Sequence, residues 1–232
     1  MLPRFFILNV IRLSARLSAV AELVPQDARV IDVGTDHAMV PVWLIQTGRA
    51  SHVWAADIRP GPLKNAARLI RETDTGSKIE LRQTDGLAGF CREDGDTVVI
   101  AGMGGETMVS ILSAAPWLHS NVLLILEPQS KQDVLRRWLA ANGYDITAER
   151  LVQDGGRIYP ILTAAAGHMP ACEEIEYYTG RYERIGDDSL FGEYLALLRK
   201  RIGSAAPYDP QSKKLMLGLD ALEERRNNDT GK

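Results

Sequence analysis

Cysteine is nearly missing from these 232 residues: Cys91 and Cys172 stand alone, and their separation fits no metal-ligand spacing. A disulfide scaffold is therefore excluded, and unpaired thiols in a reducing compartment are expected. No metal staple is needed either, because a chain of this length buries an adequate core; no metal site is expected. Long hydrophobic runs are also absent. The apolar stretch Phe5 to Ile11 is too short to span a bilayer. Arg12 to Val24 lacks a small-residue cleavage pattern and reads as helix, so a cytoplasmic location and no membrane partner are expected. An excess of one charge is lacking too. With 27 basic and 30 acidic residues the net charge is −3, which excludes a polycation, so any nucleic acid must meet a local patch. One such patch is the start of the chain, where Arg4, Arg12 and Arg16 meet no acid.

What is present is a soluble-type composition, 45% apolar and 25% charged. Short Val-, Ile- and Leu-rich runs at Arg29–Val33, Val53–Asp57, Ile79–Arg82, Thr97–Ala101 and Val122–Leu126 read as buried parallel strands. Helical segments at Pro41–Gln46, Gly61–Arg71, Glu106–Ala114 and Lys131–Asn142 separate them, with Gly143 placed as a C-cap. Two further strands follow at Tyr144–Val152 and Arg157–Ala164. The pattern predicts an α/β fold with a seven-stranded, mostly parallel, doubly wound sheet and a ligand at the carboxyl ends of its strands. Residues 1–166 form the expected main domain, with 1–28 a basic N-terminal helical segment. Gly167 to Pro170 reads as a linker, and 167–232 as a C-terminal helical hairpin domain. There Leu195, Leu198 and Ile202 share one helix face, and Leu215, Leu219 and Leu222 another. The hairpin's basic residues are mixed with many acids, and a solvated face is the simpler reading.

Four strand ends carry the chemistry. The first runs Asp32-Val33-Gly34-Thr35-Asp36-His37, where Gly34 lets backbone approach a ligand closely. A dinucleotide site would continue with further glycines. Carboxylates stand here instead; they repel a pyrophosphate and suit a ligand carrying an ammonium and a sulfonium, as S-adenosyl-L-methionine does. The second end, Asp57-Ile58, places an acid for ribose hydroxyls, and the third, Asp85-Gly86, one for an adenine amino group. The fourth, Ala101-Gly102-Met103-Gly104-Gly105, is a strand entering a loop so rich in glycine that cofactor and substrate are both expected to crowd it. The expected cofactor set is Asp32, Gly34, Thr35, His37, Asp57, Ile58, Asp85, Gly86, Ala101 and Gly102.

In this order Gly34-Thr35-Asp36-His37-Ala38, Gly61-Pro62-Leu63, Asp85-Gly86-Leu87, Ile100-Ala101-Gly102-Met103-Gly104-Gly105 and Asp154-Gly155-Gly156-Arg157-Ile158-Tyr159 resemble the bacterial tRNA (adenine22-N1)-methyltransferase family, TrmK. The similarity extends from about Leu13 to Ile161 and more loosely into the helical tail. It implies a Rossmann-like fold and methylation of N1 of an adenine, position 22, in a tRNA partner. Thr35 stands where the family usually has Ser, Met39 where it has Tyr, Glu127-Pro128-Gln129 in place of Gln-Pro-Asn, and Pro160 in place of an acid. For such a transfer the catalytic candidates are Asp36, His37, Met103 and Gly104, with Asp36 as the fixed carboxylate to stabilise charge on the base and His37 to orient base or cofactor. Helix capping is the competing role for Asp36. The candidate RNA contacts are the basic Arg4, Arg12 and Arg16, the residues Glu127 and Gln129 near where the resemblance implies the target base, and Tyr159, with Tyr159 or Trp43 to stack an extruded base. A non-catalytic S-adenosylmethionine-binding RNA adaptor, or a methyltransferase acting on a small molecule or protein, remains open on the residues alone. A monomer is expected.

Overall fold

The computed structural model describes residues 10–185, 190–204 and 208–230; Arg4 and Pro207 lie outside them. Its sheet has seven strands: β1 (Ala28–Val33), β2 (Ala50–Asp57), β3 (Ile79–Gln83), β4 (Thr97–Gly104), β5 (Leu123–Ser130), β6 (Tyr144–Asp154) and β7 (Arg157–Ala166). They lie in the order β3-β2-β1-β4-β5-β7-β6. β1 to β5 run parallel, and β7 pairs antiparallel with both β5 and β6. The predicted strands are all found, several of them longer than their apolar runs. β4 and β5 continue past the glycine and proline that suggested an end, because their pairing persists to Gly104 and Ser130 through two register shifts.

Among the described residues eight helices accompany the strands: α1 (Ala15–Ala21), α2 (Met39–Gln46), α3 (Pro60–Glu72), α4 (Gly105–Ser113), α5 (Gln132–Ala141), α6 (Glu176–Thr179), α7 (Phe191–Gly203) and α8 (Pro210–Thr230). α1 is shorter than the helix expected over Arg12 to Val24. It begins only where Ser14 caps it, the hydroxyl accepting from the Leu17 N–H at 3.4 Å. Because successive strand residues face opposite ways, each central strand feeds two cores. Ile31, Val98, Ile100 and Leu124 pack with α4 and α5 on one side. Val30, Val99 and Ile125 pack with α1, α2 and α3 on the other. Each such side chain contributes roughly 1.5–3 kcal/mol by leaving water.

A third cluster forms where the face residues of α7 and α8 meet Leu151 of β6 and Ile175. The segment read as a linker is tied down: Gly167 donates to the Gly143 carbonyl at 2.9 Å and Met169 is buried in the main core. Beside it, Arg136 of α5 is 2% exposed and gives Nε and Nη2 to Glu149 of β6 at 3.1 and 2.6 Å. Its Nη1 reaches the Tyr177 carbonyl at 3.0 Å, so one guanidinium joins α5, β6 and α6. Arg136→Met is expected to lower stability by about 3–5 kcal/mol, because Glu149 is left buried without its partner. Much of that loss should return in Arg136→Met/Glu149→Leu. Urea denaturation of both variants checks this.

Candidate functional site

The strand order reverses direction between β1 and β4: from β1 the chain builds outward to β3, then returns to β4 on the other side. The connections leave in opposite directions at that point and open a crevice over the carboxyl ends of the strands. A cleft of about 520 Å³ lies there. Its floor is the turn after β1, where the Gly34 and Thr35 N–H groups both donate to the Ala56 carbonyl, at 2.8 and 2.9 Å. Gly34 has φ +77°, a conformation that favours glycine, and a Cβ on it would have to displace the Met103 methyl. Asp36 and Ala38 hold φ values of 50° and 56°, a left-handed conformation that costs energy in residues bearing a Cβ. That backbone thrusts Asp36 and His37 outward as an exposed pair 3.7 Å apart. The cap of α2 is Ala38, with no side-chain hydrogen bond, so capping does not account for Asp36.

Asp32 lies beneath, 5% exposed. Burial pushes its carboxyl up to about 6; the nearby Thr35 hydroxyl opposes that rise and the Asp57 charge adds to it. Thr35 Oγ1 is itself buried and makes no hydrogen bond among the described residues. Asp57, also 5% exposed, accepts the Arg59 N–H on Oδ1 at 2.9 Å. Beside it Ile58 is 55% exposed, an apolar surface left open at the cleft wall. Asp85 and Gly86 close that end, with Ile111 of α4 packed against the Gly86 α-carbon.

The other end is walled by Arg16 of α1. Its Nη1 meets Glu127 Oε2 at 2.5 Å and its guanidinium lies 5.5 Å from the centre of the Tyr159 ring. The Arg16 N–H reaches Asp154 Oδ2 at 3.2 Å. Burial raises the Glu127 carboxyl above its usual range, with Arg16 and the Gly102 N–H pulling it back. Glu127 Oε1 has no hydrogen-bond partner among the described residues.

The cleft thus gathers all ten residues expected to hold a cofactor, together with Asp36, Met103, Arg16 and Gln129. Several expectations are corrected. Glu127 is 0% exposed and cannot touch RNA directly; the sheet buries it beneath Arg16. Arg16 turns inward to that carboxylate rather than outward to a phosphate, and the Tyr159 ring lies under Arg16 instead of facing the cleft. Gly104 does not line the cleft. It and Gly105 are glycines for packing: a Cβ on Gly105 would overlap the Lys131 carbonyl, and one on Gly104 would come within 3.0 Å of Ser130 Oγ. Only Gly102 of the three meets the cleft. Arg12 is exposed but outside the lining, and Trp43 packs against the core. Sequence reasoning missed Arg59 and, from α4, Thr107, Ser110 and Ile111. The available signal was that α4 starts directly from the glycine loop of a central strand, which aims its first turns over the cleft.

The carboxylates Asp32 and Asp57, the unpaired Thr35 hydroxyl and the Gly34 cradle suit a cationic ligand with hydroxyls and a slender waist. Among the described residues no group of three His, Cys, Asp or Glu could hold a metal ion, and no helix is long and apolar enough to cross a membrane. In the pH range from the unfolded value near 3.8 to about 6, the folded protein binds the proton of Asp32 more tightly than the unfolded chain. Stability therefore falls as pH rises through that window, by on the order of 3 kcal/mol. Asp32→Asn is expected to raise the melting temperature at pH 8 and to lose the advantage near pH 4. Calorimetric melts of ligand-free protein at both values test it.

Residues 13–162 match the family model of a methyltransferase domain. The chain is 35% identical over 165 residues to the tRNA (adenine(22)-N(1))-methyltransferase of Bacillus subtilis, covering 71% of this chain and 69% of that protein. The crystal structure of the B. subtilis m1A22 tRNA methyltransferase superposes with a TM-score of 0.78 at 28% identity, covering 92% of this chain and 96% of that one. A candidate tRNA (m1A22) methyltransferase of Streptococcus pneumoniae, solved in complex with S-adenosyl-L-methionine, gives a TM-score of 0.78 at 30% identity, over 92% and 99% of the two chains.

Proposed function

We propose, from the premise that the chain belongs to the tRNA (adenine22-N1)-methyltransferase family, that this cleft binds S-adenosyl-L-methionine and an adenine of tRNA and joins them by methyl transfer. The observation that carries the reading is a cleft with buried carboxylates and no basic partner for Asp32 at its centre, which favours a cationic cofactor. The adaptor and the small-molecule or protein methyltransferase readings find no support in the relatives, which are tRNA enzymes.

When bound, the cofactor supplies an electrophilic methyl group on a sulfonium. Asp57 would accept hydrogen bonds from ribose hydroxyls, the exposed face of Ile58 would cover the purine ring, and Asp85 would meet its amino group. Asp32 and Thr35 would hold the charged tail above Gly34. Adenine N1 carries an in-plane lone pair and no hydrogen, so it needs no general base; the main demand is alignment. The positive charge that arrives on the base would be met by Asp36 at the cleft mouth, with His37 orienting it. Met103, packed over Gly34, would shape the space between the two reactants.

The target adenine must leave its stack to enter the cleft, which costs a few kcal/mol. Residues 1–166 would carry catalysis and 167–232 would serve as a helical appendage beside it, with the exposed Arg12 available to backbone phosphate. The enzyme would work as a monomer in the cytoplasm.

Incubation with unmodified tRNA and labelled S-adenosylmethionine should place one methyl group on N1 of adenine 22. Primer extension then stops there, because N1 methylation blocks pairing; a stop at another nucleotide, or label on a protein or metabolite alone, would falsify the reading. Asp57→Ala should weaken cofactor affinity by about tenfold or more, since a carboxylate accepting hydrogen bonds is lost. Titration calorimetry measures that change.

A further inference from the structure

The acceptor end of the cleft holds one side chain that the fold positions and does not employ. β4 and β5 pair in register as far as Ala101 and Glu127, then shift twice, so that Met103 faces Pro128 and Gly104 faces Ser130. Gly102, with φ +87°, is left over on β4 and Gln129 on β5, and Pro128 has no N–H to offer the ladder. Bulges of this kind re-aim side chains next to sites. Here the result is that Gln129 lines the cleft, its Nε2 3.8 Å from where a Cβ of Gly102 would stand. Gln129 is exposed, and its amide makes no hydrogen bond among the described residues. Arg16, equally close to Gly102, is occupied by Glu127 and Tyr159. Gln129 is thus the free amide at the place where β4 and β5 would bound an incoming base.

An enzyme that methylates N1 cannot hold adenine by N1. The Watson–Crick edge must face the methyl donor, which leaves the Hoogsteen edge for recognition: N6–H as donor and N7 as acceptor. A carboxamide matches that pair, its oxygen accepting from N6–H while its NH₂ donates to N7. We infer that Gln129 is a specificity-determining residue that reads the Hoogsteen edge of the target adenine and leaves N1 free. The inference rests on the tRNA-adenine reading above and names the contact by which that base is selected. The same contact favours the reaction, because the N6 amino group becomes a stronger donor as the ring gains positive charge, and the Gln129 oxygen would accept from it.

The test uses full-length tRNA in which adenosine 22 is replaced by 7-deazaadenosine, which lacks the N7 acceptor. The altered basicity of N1 in the deaza ring is common to every variant and cancels when ratios are compared between enzymes. The natural-to-deaza ratio of kcat/KM should be about tenfold larger for wild type than for Gln129→Ala, which should also be slower on natural tRNA. Gln129→Glu keeps an acceptor for N6 but sets a carboxylate against the N7 lone pair, so its ratio should fall to that of Gln129→Ala or below it. Equal ratios in wild type and Gln129→Ala would overturn the inference. Failure of wild-type enzyme to methylate natural tRNA at all would overturn the methyltransferase reading and this inference with it.

Discussion

The molecule depends on a reversal in strand order. A parallel sheet that builds outward from β1 to β3 and then restarts at β4 must leave the carboxyl ends of β1 and β4 uncovered, since their following connections depart to opposite sides. Everything chemical in this chain is placed at that opening. Gly34 directly follows β1 and Gly102 lies near the end of β4, and both take positive φ. The acids of the cleft lie on the neighbouring strand ends, and the side chains of α1 and α4 form its walls.

The cleft is asymmetric, and the asymmetry has an electrostatic logic. Toward β2 and β3 stand the carboxylates Asp32, Asp57 and Asp85, the first two buried. Toward β5 the carboxylate of Glu127 is covered by Arg16. A ligand with positive charge is therefore favoured on one side, and a neutral, hydrogen-bonding base on the other. The Arg16–Glu127 pair is not itself a large source of stability, since burying a charge offsets much of the attraction. Its effect is one of position: with Tyr159 and Asp154 it fixes α1 against three strands and so fixes the cleft wall.

Much of this was legible in the sequence. The strands were readable because parallel strands buried on both faces are continuous apolar runs, and the strand-end motifs because glycine and acid at those ends have few other uses. The hairpin was readable from Leu195, Leu198 and Ile202, whose spacing a helix turns into one face. Residues such as Ile111 and Thr107 were missed because α4 looks locally like any amphipathic helix, and the one signal, its start directly from the glycine loop, does not say which of its side chains face the cleft. Gly104 and Gly105 were misread for the opposite reason: a glycine needed for packing against Lys131 is indistinguishable in one dimension from one needed for a ligand.

The sequence alone determined the fold class, the motifs near the strand ends and the cationic preference of the site, because each follows from local periodicity or from residue type. Tertiary structure alone decided how the segment Glu127-Pro128-Gln129 divides its labour. Adjacent strand residues face opposite ways, and a bulge beside Gly102 shifts which of them meets the cleft. Glu127 is consequently buried against Arg16 while Gln129, two residues on, stands in the opening. No spacing rule distinguishes the two, since the difference lies in a neighbouring strand.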